Sequence, residues 1–181
     1  TWKACMGVRV SLVITGSGFL KLNGATNDID ASKLTFTGEG GAPHTLTDSS
    51  DVEITSGTAF TVTLSSTDKA AINQIVNKNG TSSANGTTYN LAAAEDWAAG
   101  ASSAVTVADL TGNGITASSV ATPTITSATY DASAGALVVT GTGFLKASGA
   151  ANDIVASKFT FTGEGGSTYT LTDSANAEIT S

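Results

Sequence analysis

Asn27, Asp28 and Asp30 put amide and carboxylate oxygens within four consecutive positions, and Asn152 and Asp153 repeat the first two about 125 residues later. Oxygen donors grouped in this way are what a hard cation such as Ca²⁺ takes. Val155 stands where Asp30 would recur, so the calcium candidates common to both places are Asn27, Asp28, Asn152 and Asp153. The same residue types also form Asx-turns and N-caps where a strand meets a loop, and that reading stands first. Glu39, Asp48 and Glu53, with Glu164, Asp173 and Glu178, extend the acidic set and are expected as solvated turn residues. Neither an EF-hand loop nor a glycine–aspartate nonapeptide run is present.

Catalytic chemistry has less to work with. His44 is the single histidine, and Tyr169 takes its place in the second stretch. A general base would not alternate with tyrosine in a repeated enzyme. Cys5 is the single cysteine and has no histidine near it in sequence, so no nucleophile–base pair stands out. Gly38-Glu39-Gly40-Gly41 and Gly163-Glu164-Gly165-Gly166 fit hairpin turns. A phosphate cradle would need a lysine and a Ser/Thr at P-loop spacing, which do not follow. Residues 109–114 lack the spaced carboxylates of a calcium loop and read as a turn. Glu95 and Asp96 read as a polar helix face, and Trp97 as core. No catalytic residue is assigned, and a non-catalytic protein is expected.

The elements that hold these residues are themselves repeated. Residues 12–56 and 137–181 align without a gap, with about 32 of 45 positions identical. The offset is a domain length rather than a solenoid turn. Residues 1–121 are expected to form one repeat unit with an atypical first strand, and residues 122–181 the first half of the next. Residues 1–11 do not match residues 126–136, and they hold the only Cys, the only Met and the only Arg, so no function is rested on them. Period-two patterns predict strands over residues 8–15, 33–37, 45–47, 52–54 and 59–65. Ser66, Thr67 and Asp68 are expected to cap a helix over 69–79, with Ile72, Ile75 and Val76 on one face and Gly80 as its stop. A second helix is expected over 90–100, turning Leu91, Ala94, Trp97 and Ala98 inward, followed by closing strands over 105–107 and 115–120. After Pro123, strands are expected over 124–130 and 136–140 around a turn at 131–135. The expected fold is mainly β, an immunoglobulin-like β-sandwich with a short helical insertion before its closing strands.

Composition narrows the class of partner. Hydrophobic residues make up 40% of the chain, enough for a core, whereas charged residues reach only 13%. The net charge of −7 argues against nucleic acid. One cysteine rules out an intrachain disulfide. No run approaches the roughly 20 apolar residues of a membrane span.

Pro123-x-Ile125-x-Ser127, followed by Leu137-Val138-Val139-Thr140-Gly141-x-Gly143-Phe144, resembles the opening of IPT/TIG domains, an immunoglobulin-like family. Leu12 to Phe19 keeps the second part of that pattern. The resemblance covers about the first third of each unit, and the segment from Thr67 to Trp97 departs from it. The arrangement as a whole resembles the tandem repeats of giant bacterial surface adhesins secreted by a type I route. That resemblance implies a secreted or cell-surface location, a non-catalytic role in adhesion or as a stalk, and neighbouring repeats or identical subunits as partners. A second expectation is a polymeric filament or sheath, in which incomplete β domains are completed by neighbouring chains. A carbohydrate-binding module is the third and weakest, because it needs exposed aromatics and the aromatic content is 6%.

Overall fold

The structure is a computed structural model that describes residues 3–6, 11–24, 27–146 and 152–180. It divides into two units, Thr1–Thr122 and Pro123–Ser181. The expected strand residues 8–10 lie outside the described residues.

In the first unit, β1 (Lys3–Met6), β2 (Ser11–Thr15), β3 (Leu34–Thr37), β4 (Pro43–Thr45), β5 (Ile54–Ser56) and β6 (Ala59–Thr63) precede helix α1 (Ser66–Ile75); β7 (Asn90–Ala93) and β8 (Ile115–Thr116) follow it. One sheet has the order β5-β6-β2-β1-β8, and the other β4-β3-β7. All pairs are antiparallel except β1 with β8, which are parallel with Ala4 opposite Ile115 and Cys5 opposite Thr116. The fold is mainly β, with several small sheets and one α-helix.

Alternation explains why these segments are strands. Leu12 and Ile14 on β2, Leu34 and Phe36 on β3, Phe60 and Val62 on β6, and Leu91 and Ala93 on β7 are buried, while the residues between them are more exposed. Successive side chains point to opposite faces, so a one-residue slip would expose every one of these groups. Both sheets feed one continuous core that also takes in Tyr89, Trp97 and Ile115. Burying each large apolar side chain contributes about 1.5–3 kcal/mol. Trp97 sits edge-on to Phe19 at 5.9 Å, and its indole N–H donates to the Val107 carbonyl at 2.8 Å.

Three expected elements fall differently. Helix α1 begins and ends earlier than expected. Ser65 is its N-cap, its hydroxyl accepting from the Asp68 N–H at 3.1 Å, and Val76 is already extended. Gly80 is therefore not the helix stop; it pairs with Ala117 across a β-bridge. The expected second helix over 90–100 is instead strand β7. Its alanines favour a helix in isolation, but Leu91 and Ala93 pair with Phe36 and Leu34 on the free edge of β3, and that tertiary pairing prevails. Asp96 then takes a left-handed conformation (φ 63°) that turns Trp97 into the core. Residues 105–107 form no strand; of the closing segment only Ile115–Thr116 does. The strand expected at 45–47 lies two residues earlier, as β4, and the one at 52–54 is displaced to β5.

The second unit contains β9 (Thr124–Asp131), β10 (Ala136–Thr142), β11 (Thr160–Thr162) and β12 (Thr168–Thr170). β9 and β10 form a hairpin with a bulge at Thr140/Gly141. The Asp131 carboxylate closes its turn by accepting from the Ser133 N–H at 2.8 Å and the Ser133 hydroxyl at 2.7 Å. β11 and β12 form a second hairpin. Its turn, Glu164–Gly166, has Gly165 at φ 67°, and the matching turn of the first unit, Glu39–Gly41, has Gly40 at φ 65°. Only glycine holds that conformation without strain, which accounts for the repeated Gly-Glu-Gly-Gly.

Candidate functional site

Two carboxylate centres organise the first unit. The first is Asp68, fully buried on the first turn of α1. One oxygen accepts from the Thr47 N–H at 2.9 Å, the Thr47 hydroxyl at 3.2 Å and His44 Nε2 at 2.9 Å. The other accepts from the Asp48 N–H at 3.1 Å, the Ser49 N–H at 2.8 Å and the Ser49 hydroxyl at 2.6 Å. Ser49 Oγ in turn accepts from the Ser65 N–H at 3.0 Å, which joins the cap of the helix to the same loop. Burial pushes the Asp68 carboxyl up, but the hydrogen bonds from Ser49, Thr47, His44 and Asp48 outweigh it and hold the group below the usual carboxylate range.

Histidine, serine and aspartate meet here, yet in the wrong order for nucleophilic catalysis. A triad places the imidazole between hydroxyl and carboxylate. In this site the carboxylate stands between them, and the Ser49 hydroxyl donates to Asp68 rather than to His44. The arrangement clamps the loop after β4 onto the helix N-terminus.

The second centre is Asp28 with Glu53. Asp28 is fully buried; one oxygen accepts from the Leu22 N–H at 2.8 Å and the other from the Ile54 N–H at 3.0 Å. The Leu22 N–H, the Ile54 N–H, a side-chain hydrogen bond with Glu53 and the Lys21 charge together overcome burial and lower its pKa. Glu53 moves the other way. Its hydrogen bond to Asp28, burial and the Asp28 charge raise it, against Lys21, whose ammonium lies 3.6 Å from Oε2. Glu53 is thus the member of the pair that holds a proton more readily. The second unit repeats the device. Ile179 N–H donates to Asp153 at 3.0 Å, and burial, followed by Asp153, raises Glu178.

The calcium candidates therefore fall in two classes. Asp28 and Asp153 tie a loop to the strand segment 25 or 26 residues further on. Asn27 and Asn152 are exposed beside them. Asp30 accepts from the Ser32 N–H and hydroxyl, an N-cap of the short turn Ala31–Lys33. Among the described residues, no group of three or more His, Cys, Asp or Glu comes together in a way that could hold a metal ion. Glu95 is not on a helix; its carboxylate accepts from the Val107 and Ala108 N–H groups and pins the loop after β7.

Sequence reasoning named Asp68 as a cap and Glu53 as a turn residue, but missed both partnerships. Their partners lie 19–26 residues away, beyond any local pattern. One signal was available for the second pair. Between the two stretches Asp51 becomes Asn176 and Val52 becomes Ala177, while Glu53 recurs as Glu178.

No known family, curated protein or solved structure matches the chain.

Proposed function

We propose that the chain is a stretch of tandem immunoglobulin-like repeats from a bacterial surface protein, serving outside the cell as an adhesin stalk or surface array rather than as an enzyme. The observation that carries this reading is that the two matching stretches repeat more than sequence. They repeat the Gly-Glu-Gly-Gly hairpin and the aspartate strap, with the glutamate beside it. A unit copied with its internal fastenings suits a modular, load-carrying array. The centres built around Asp68 and Asp28 supply fastening, with no activated nucleophile between them. Neighbouring repeats or identical subunits are the partners this implies.

The test is surface labelling. Antibodies raised against the 181-residue chain should label intact producing cells or their secreted material, and mild proteolysis of intact cells should remove the signal. Labelling that requires cell lysis would overturn the reading.

A filament built from strand-sharing subunits is the second reading, favoured by the unpaired strand edges of β10 and β11. Electron microscopy of the native material separates the two. Regular helical fibres favour the filament, and dispersed beads the array.

A further inference from the structure

We infer that the open face of the second unit is a docking surface for a polypeptide half-repeat with the chemistry of this chain's own residues 57–97. The inference deepens the repeat reading above and rests on it. The first unit displays the occupied form of the same surface. There, β2 pairs with β6 as well as β1, and β3 pairs with β7 as well as β4. In the second unit β10 pairs only with β9, and β11 only with β12, among the described residues. Phe36 and Leu46 are 1% and 2% exposed, whereas Phe161 and Leu171 at the matching positions are only partly buried. Tyr169, at the place of His44, is 60% exposed.

Two details specify what the face accepts. Gly38 leaves no room for a side chain, because Ile75 at the end of α1 lies against it. Gly163 keeps the same space, and only the Ser167 carbonyl, at 3.7 Å, borders it. The loop that grips Asp68 also recurs. Thr172, Asp173 and Ser174 repeat Thr47, Asp48 and Ser49. Equivalent bonds anchor both loops: Leu46 N–H to the Leu34 carbonyl and Leu171 N–H to the Phe159 carbonyl, each at 3.0 Å. Ala31 and Ala156 likewise donate to Asp51 and Asn176. Thr172 to Ser174 are exposed, and the Thr172 N–H turns back to the Thr170 carbonyl at 2.9 Å. This is a donor set shaped for a carboxylate, bordered by apolar side chains and two unpaired strand edges. A segment that fits all of it carries an alternating strand, then a carboxylate in the first turn of a helix, a bulky apolar residue at the helix end, and a second strand. Residues 59–93 have that order.

The test titrates a synthetic segment of residues 57–97 into the intact 181-residue protein and reads hydrogen exchange at Thr172, Asp173, Ser174, β10 and β11. Saturable protection of these amides is expected. The segment carrying Asp68→Asn should bind at least about tenfold more weakly, since a charged hydrogen-bond acceptor is lost. Protein carrying Tyr169→His should bind the unaltered segment more tightly, because the imidazole donor is restored. Where the free segment binds too weakly to saturate, residues 57–121 appended directly after Ser181 give the same readout at high effective concentration. Amides of 172–174 that stay unprotected in that extended chain overturn the proposal. So does protection by the Asp68→Asn segment as strong as by the original. Protection that grows with protein concentration alone assigns the face to a second copy, and also overturns it. None of these outcomes bears on surface labelling, so the repeat reading stands or falls separately.

Discussion

Asp68 gathers six hydrogen bonds from one loop and one histidine, so it ought to dominate the mutational response of the first unit. Asp68→Asn turns amide hydrogens toward backbone donors and should cost at least about 2 kcal/mol in denaturant unfolding. The pH response follows from the lowered pKa. The unfolded chain binds the Asp68 proton more readily, so its stabilisation is complete above about pH 5 and is lost as pH falls below about 4. Glu53 has the opposite sign. Its raised pKa means that its contribution is present below the ordinary glutamate value and is lost as pH rises through the folded value. Glu53→Gln, which mimics the protonated form, should keep the bond to Asp28 and raise the melting temperature at pH 7. An unchanged or lower value would mean that the pair does not share a proton. Because Asp28 and Asp153 are already engaged by backbone N–H groups, chelator and added calcium should give the same melting temperature. A clear rise with calcium would place a cation there after all. Asp28 and Asp153 were legible in the sequence as recurring residues, but not as buried straps. Their partners are set by chain reversal, which local patterns do not encode.

Strands with strict alternation were legible where one face meets the core, as at Leu34 and Phe36 or Phe60 and Val62. The segment from Asn90 to Trp97 was not. Its alanines and spaced apolar residues satisfy a helical period, while the edge of β3 that recruits it lies some 55 residues earlier. Helix α1 was legible as an element but displaced at both ends, since Ser65 rather than Ser66 caps it and Ile75 stops against the β3–β4 hairpin. That contact gives a paired prediction. Gly38→Ala should destabilise the protein by about 1–3 kcal/mol through overpacking against Ile75. Gly163→Ala, with open space and an ordinary φ of −99°, should change stability by less than about 0.5 kcal/mol. Equal effects from both would show that backbone conformation, not the helix contact, makes glycine necessary.

At the level of the whole chain, the matching stretches share local structure but not burial, so their dynamics should differ. Amides of β11 and β12 should exchange at least about tenfold faster than those of β3 and β4, because exposed strand edges open locally at little cost. Comparable protection in the two hairpins would mean that the second unit is as well covered as the first. The repeat itself was plain in the sequence; the division of core between units was not, because it depends on which segments fold back over which strands. One pairing has a mechanical consequence. β1 and β8, near the two ends of the first unit, run parallel and side by side, with Ala4 against Ile115 and Cys5 against Thr116. Tension applied at the ends of that unit pulls these strands along their length in opposite directions. It therefore loads their hydrogen bonds together, in shear, instead of peeling them one at a time from an end.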